Sequence, residues 1–172
     1  MMALLTVTMF VQAQSLLGTW QTRNNDVDAK FIFSQGGKVV VKYKLKTPLI
    51  DDVNMIYILE VPGTWTLSGK AFSLKPNIDA AKIPVNDVTF EIYGNLKKKL
   101  DSDPVMASKM KREIEKIKAN NPNDFKKLQS EWINKSKGKK LEMHGQVAQN
   151  NGKKLIIYDE SDFMRIELIK IP

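Results

Sequence analysis

The chain has 172 residues, of which 42% are hydrophobic, and it contains 27 Lys or Arg, 19 Asp or Glu and no cysteine. A chain of this length and apolar content can fill one core without disulfide bonds or metal ions. We therefore expect a single domain over residues 14–172. The absence of cysteine excludes disulfides, thiolate nucleophiles, cysteine zinc sites and a lipidated N-terminal cysteine. With His144 as the only histidine, we predict a protein that is not an enzyme and has no cofactor and no metal site.

Residues 1–13 form an apolar run that ends in small residues, with Val11 and Ala13 at the positions a signal peptidase reads. The run falls short of the roughly 20 apolar residues that span a bilayer, so it favours a cleaved signal peptide over a transmembrane anchor. A buried first strand or helix is the alternative. We therefore expect an exported protein, periplasmic or secreted, with no transmembrane segment in the mature chain and no nucleic-acid partner.

Most of the remaining sequence predicts β-strands, because short β-branched and aromatic runs are separated by turn residues. Lysines alternate with apolar residues over residues 38–46, which places one face in a core and the other in water. Gly36-Gly37, Ser68-Gly69 and Asn150-Asn151-Gly152 lie where tight hairpins need positive φ. These patterns predict a mainly β fold, an antiparallel up-and-down meander that closes into a barrel. The nine predicted strands are Leu16–Arg23, Ala29–Ser34, Lys38–Lys46, Met55–Ser68, Ala71–Lys75, Val88–Tyr93, Leu141–Gln149, Leu155–Asp159 and Phe163–Ile171.

A segment between the sixth and seventh strands has helical periodicity. Apolar residues recur at steps of three and four from Leu96 to Lys118, with one longer step across Asp103-Pro104. Ser102 or Asp103 can cap the helix that begins at Pro104, and Asn123 can cap a second helix. We interpret residues 96–137 as a helical hairpin inserted between late strands.

The charge excess of the chain lies in this insertion. Residues 96–140 hold fourteen Lys or Arg and six Asp or Glu, a net charge of +8, which equals that of the whole chain. Glutamates lie among the lysines at spacings that suit helical ion pairs, so a solvated helix face explains the charge. A binding surface for an acidic partner, a lipid headgroup or a polysaccharide is the alternative. The predicted basic face consists of Lys109, Lys111, Arg112, Lys126 and Lys127.

The opening L-L-G-T-W at residues 16–20 resembles the G-x-W signature of the lipocalins and related calycin barrels. A second G-T-W at Gly63–Trp65, followed by a short turn and another strand, looks like a strand pair of lipocalin-like domains in exported bacterial proteins. The last predicted strand is similar to the closing strand of these barrels, where an arginine packs across the signature tryptophan. The resemblance implies that Trp20 and Arg165 are structural partners.

A lipocalin-like barrel implies a small apolar or amphipathic ligand, and five aromatic residues are candidates to line its site. Core packing explains the same five residues without a ligand. Asp51-Asp52 and the acidic cluster at 159–162 offer paired carboxylates, but both lie in predicted turns, where Asp serves local backbone hydrogen bonding. His144 is predicted to be a surface or rim side chain. The candidate ligand-lining residues are Phe31, Phe33, Tyr43, Tyr57 and Phe90.

The apolar leader generates a direct prediction. If residues 1–13 are a signal peptide, cleavage after Ala13 leaves Gln14 as the first residue of the mature protein. Edman or mass-spectrometric sequencing of the protein purified from its own cells should therefore begin at or near Gln14. Recovery of an intact Met1 in the cytoplasmic fraction would contradict the prediction.

Overall fold

The computed structural model of the chain describes residues 16–22, 28–120, 122–137, 142–159 and 165–172. The predicted signal peptide and the acidic residues 160–162 lie outside the described residues.

Nine described strands form one antiparallel sheet, and eight of them close into a barrel. Neighbours in the ring are consecutive in sequence except at the β5–β7 pair, where β6 and the helices intervene, and the first strand pairs with the last. Strand β6 adds to β4 outside the ring. This confirms the predicted meander with a helical insertion before β7. The strands are β1 Gly18–Thr22, β2 Ala29–Ser34, β3 Lys38–Ile50, β4 Val53–Ser68, β5 Ala71–Pro76, β6 Thr89–Ile92, β7 Met143–Asn150, β8 Lys154–Asp159 and β9 Arg165–Ile171.

The described part of the insertion contains three helices: α1 (Gly94–Ser102), α2 (Pro104–Asn120) and α3 (Pro122–Ser136). The break between α1 and α2 falls where the apolar spacing is interrupted. Of the two predicted caps, Asp103 is the one used, because its Oδ1 accepts a hydrogen bond from the Met106 backbone N–H at 2.9 Å. The prediction that Asn123 caps the next helix is wrong. The helix already begins at Pro122, a residue suited to a first turn whose N–H groups have no intrahelical acceptor.

The chain divides into two compact units, each assembled from separate stretches of sequence. The first holds the described residues up to Tyr43, Glu60–Ala81 and those from Ser136 onward, and thus β1, β2, β5, β7, β8 and β9. The second consists of Lys44–Leu59 and Lys82–Lys135, and thus contains β6 and most of the helical insertion. Strands β3 and β4 contribute residues to both units.

The core of the first unit is built around aromatic rings. The Phe33 ring meets the Trp65 ring edge-on, with centroids 5.4 Å apart, and the Phe72 ring at 6.1 Å. Such edge-to-face contacts add to the stabilisation that comes from removing the rings from water. Trp20 is fully buried, and its indole N–H donates to the Leu16 carbonyl at 2.8 Å. Both tryptophans of the two G-T-W motifs are therefore core residues of this unit.

The expected partnership of Trp20 with Arg165 is wrong. In the β1–β9 register Trp20 lies opposite Lys170, whose Nζ lies 5.3 Å from the centroid of the Trp20 ring. Arg165 lies opposite Tyr158, is exposed, and donates to Glu167 at 3.0 Å. Side chains alternate across a strand, so Arg165 is on the opposite face of β9 from Leu168 and Lys170. A lysine thus occupies the position over the tryptophan.

Replacing Trp20 with alanine should lower the free energy of unfolding by about 3–5 kcal/mol, because the change leaves a large cavity in a closed core. Trp20→Phe should destabilise the fold less, because it keeps most of the apolar volume. Its remaining cost comes from the lost hydrogen bond to Leu16. Tyr158→Ala is the control, because Tyr158 is an exposed aromatic residue of β8. Urea denaturation would measure all three. A loss below about 1 kcal/mol for Trp20→Ala would contradict its role as an anchor.

Candidate functional site

The second unit contains a cavity of about 400 Å³ with a mainly apolar lining. Ligand sites for small molecules are typically about 300–1,000 Å³ and combine apolar walls with a few polar groups. Every lining residue belongs to the second unit. The lining consists of Leu49, Met55, Phe90, Ile117, Asp124, Phe125, Lys127, Leu128 and Glu131.

Strands and helices both contribute to the lining. Met55 on β4 and Phe90 on β6 are directly opposite in the antiparallel register, so their side chains share one face of the sheet. Phe125 and Leu128 are three residues apart on α3, which places both on one helix face. Phe125 is buried, whereas Ile117 on α2 is 41% exposed at the border of the cavity. The cavity is thus lined by a sheet segment and by two helices.

The charged groups of the cavity all come from α3. Asp124, Lys127 and Glu131 follow one another at helical steps of three and four, so they form one edge next to the apolar lining. Lys127 is the lining residue that carries a positive charge. An apolar cavity bordered by charged groups suits a molecule with an apolar body and a polar end.

A polar network fastens β6, the strand that carries Phe90. Glu91 accepts a hydrogen bond from the buried Asn54 amide at 3.1 Å and forms an ion pair with Lys46. The ion-paired Lys46 and then Asn54 hold the pKa of the Glu91 carboxyl below its usual value. Side chains from β3 and β4 thereby meet on one carboxylate of β6. This network holds β6 in place, and with it the position of Phe90 in the cavity lining.

The start of α1 is fixed by a residue far away in the sequence. Asp52, in the turn between β3 and β4, accepts hydrogen bonds through Oδ2 from the backbone N–H groups of Asn95 at 2.9 Å and Leu96 at 3.0 Å. A carboxylate at a helix N-terminus also interacts favourably with the helix dipole. Gly94 has φ +59°, and a Cβ at this position would lie 2.1 Å from the Asp52 carboxylate. Glycine is therefore required beside this cap.

The five predicted ligand-lining residues fall in both units. Phe31 and Phe33 are buried in the barrel core with their ring centroids 6.2 Å apart, so they pack there instead of lining the described cavity. Tyr43 packs against the same core, and burial raises the pKa of its hydroxyl. Tyr57 is buried in the second unit, where its hydroxyl lies 3.5 Å from the Thr47 hydroxyl. Phe90 is the one predicted residue that lines the cavity.

The predicted basic face is exposed to solvent at all five positions. Two ion pairs of α2 follow the predicted helical spacing, Lys116–Glu113 at 2.7 Å and Lys118–Glu115 at 3.9 Å. Both glutamates are largely exposed, so these pairs contribute little to stability. The exposure fits both the solvated-face interpretation and the binding-surface interpretation.

His144 is exposed on the barrel, as expected, and the fold brings it to two groups that sequence spacing did not indicate. Its Nδ1 lies 3.2 Å from the Ser73 hydroxyl across the β5–β7 pair, and its Nε2 lies 3.3 Å from Glu142. Lys75, 2.9 Å from Glu142, and then His144 lower the pKa of that carboxyl. A serine beside a histidine is a nucleophile–base arrangement, which also needs N–H donors for an oxyanion. Strand β5 pairs on both sides, so its backbone N–H groups are engaged in the ladder and cannot form an oxyanion hole beside Ser73.

No known family model matches the chain, and no curated protein matches it significantly. The described part of the chain contains no cluster of three or more His, Asp or Glu placed to hold a metal ion. None of the described helices has the length and apolar character needed to cross a membrane. The eight-stranded antiparallel barrel is consistent with a lipocalin-like fold, and this fold is compatible with ligand binding.

The Glu91 network generates a prediction about pH. A carboxyl whose pKa is lower in the folded than in the unfolded chain stabilises the fold above the unfolded value, and this stabilisation disappears as the pH falls through the folded value. Wild type should therefore be more stable than Glu91→Gln at neutral pH, and the difference should shrink as the pH falls below the usual glutamate range. Denaturant titrations across this pH range measure the difference. A stability difference between wild type and Glu91→Gln that does not change with pH would contradict the prediction. Glu115→Gln, a substitution at an exposed position of α2, is the control.

Proposed function

We propose that the chain is an exported, non-enzymatic, lipocalin-like protein that binds a small apolar or amphipathic molecule. The observation that supports this most is the cavity of about 400 Å³ in the second unit, lined by six apolar side chains and a charged edge. The apolar leader and the G-x-W resemblance support export and the lipocalin-like class. The ligand site in this proposal is the cavity beside Phe90, because the aromatic rings of the barrel core are engaged with one another.

The size and chemistry of the cavity define the class of ligand. Its volume lies near the lower end of the range for ligand sites, which suits a compact apolar molecule or one part of a longer chain. Met55, Phe90 and Phe125 offer apolar surface, and each square ångström removed from water on binding contributes about 25 cal/mol. Lys127 at the edge can pair with a carboxylate or another anionic end group. An amphipathic acid therefore satisfies both parts of the lining.

A second candidate function uses the basic face, which is exposed at all five positions. In this proposal Lys109, Lys111, Arg112, Lys126 and Lys127 attract an acidic partner, a lipid headgroup or a polysaccharide. Such attraction is screened within about 10 Å at 0.1 M salt, so binding would weaken steeply as salt is added. Small-molecule binding in an apolar cavity would respond much less to salt.

The binding proposal can be tested with two fluorescent probes, the neutral N-phenyl-1-naphthylamine and the fatty acid cis-parinaric acid. Leu128→Trp should reduce the affinity for both probes at least about tenfold, because the larger ring fills the cavity. Val105→Trp is the matched control, since Val105 is 65% exposed on α2 and does not line the cavity. If Leu128→Trp keeps its fold by circular dichroism and binds both probes like wild type, the cavity is not the ligand site.

A second pair of variants tests the charged edge. Lys127→Gln should weaken binding of the fatty acid by about fivefold and leave the neutral probe unchanged, because it removes one charge-assisted contact. Lys126→Gln is the control, since the neighbouring lysine is exposed and is not part of the lining. Equal losses for the two probes would contradict the assignment of Lys127 to an anionic end group.

A further inference from the structure

The end of the β3–β4 hairpin presents apolar side chains of β3 to water. Ile50 is 65% exposed and Leu49 46%, and both lie beside Tyr93, which is 42% exposed. Turn tips are usually built from polar residues and glycine, so two neighbouring exposed aliphatic side chains at a hairpin end are unusual. We call Pro48, Leu49, Ile50 and Tyr93 the apolar tip; they line one shallow depression together with Asp51, Asp52 and Asn95.

The apolar tip is held in a fixed relation to α1. The Tyr93 backbone N–H donates to the Asp52 carbonyl at 3.0 Å, and the Asp52 side chain caps the helix through Asn95 and Leu96. The turn and the start of the helix therefore form one hydrogen-bonded assembly within the second unit.

The helix attached to the tip, α1, carries three consecutive exposed lysines after its first three residues, Lys97–Lys99. The turn next to the tip carries two carboxylates. Asp51 is exposed, whereas Asp52 caps α1. Lys46 adds a further cation next to the tip, with its Nζ 5.9 Å from the Tyr93 ring centroid, although it also pairs with Glu91. These four lysines thus lie on the two elements that border the apolar tip, β3 and α1, and Asp51 and Asp52 line its depression.

We propose that the apolar tip docks on an anionic lipid bilayer. Ile50 and Leu49 enter the boundary between headgroups and acyl chains, and Tyr93 lies at headgroup level, where its ring is in an apolar environment and its hydroxyl remains hydrated. Lys97–Lys99 contact lipid phosphates, each contributing attraction to the negative surface. Exposed aliphatic residues together with exposed lysines fit this partner better than an acidic polysaccharide, which would leave the aliphatic side chains in water.

Docking would have a consequence for the cavity, because Leu49 belongs to both features. It lines the cavity with Met55 and Phe90, and it lines the depression of the tip with Ile50 and Tyr93. A tip seated in the bilayer brings one side of the cavity lining to the lipid surface. The docking surface itself rests on its own observations and does not require that the cavity binds a ligand.

The absence of cysteine allows a site-specific test on the full chain. An Ile50→Cys variant labelled with the environment-sensitive dye NBD should show a blue shift and increased emission with vesicles of phosphatidylglycerol and phosphatidylcholine at low salt. Vesicles of phosphatidylcholine alone should give a much smaller response, since the lysines then have no negative surface. Ile169→Cys with the same dye is the matched control, because Ile169 is an exposed isoleucine of the barrel. An unchanged spectrum at position 50 would overturn the proposal.

Vesicle flotation of unlabelled variants separates the contributions of the tip and of the charges. Ile50→Asp should weaken vesicle binding at least about tenfold, because it places a charge in an apolar boundary, and Ile169→Asp should not. Replacing Lys97–Lys99 with glutamine should weaken binding about tenfold or more. If instead replacing Lys109, Lys111 and Arg112 with glutamine abolishes binding and Ile50→Asp has no effect, the basic face is the contact and the tip is not. Probe binding measured without vesicles should be unchanged in Ile50→Asp, so this result and failure of the binding proposal remain distinguishable.

Discussion

The antiparallel pairing of β3 with β4 is the interaction on which the rest of the structure depends. It closes the ring of eight strands. Without it, the backbone groups along the facing edges of β3 and β4 would have no partner strand. Within the second unit, residues 53–56 of β4 also pair with β6. One hairpin thus supplies a barrel seam and the sheet segment that lines the cavity.

The two units differ in how completely their apolar side chains are packed. In the first unit, aromatic rings from several strands fill the space inside the ring, and Trp20, Trp65 and Phe33 are all buried. In the second unit, a short sheet segment faces amphipathic helices whose charged faces remain in water. Sheet and helix surfaces of this size leave a gap at Met55, Phe90 and Leu128, and that gap is the candidate site.

Local sequence patterns predicted the strands well because alternation, turn glycines and β-branched runs are properties of neighbouring residues. The break at Asp103-Pro104 was equally visible, since a cap and a first-turn proline are adjacent. Contacts set by pairing over long distances were not visible. The position over Trp20 depends on the register of β1 with β9, and that register selects Lys170 instead of Arg165. The Asp52 cap joins residues more than forty positions apart, so an acidic pair in a turn gave no sign of it.

The requirement for glycine beside the Asp52 carboxylate has a consequence for tracing the ancestry of the chain. Asp52 itself has a positive φ, so this position tolerates few residue types, and Gly94 is constrained by both its own φ and the carboxylate. Two positions that constrain each other in this way should change together or remain unchanged. An acidic residue in the hairpin turn and a glycine before the inserted helix therefore provide a two-site signature for recognising distant relatives.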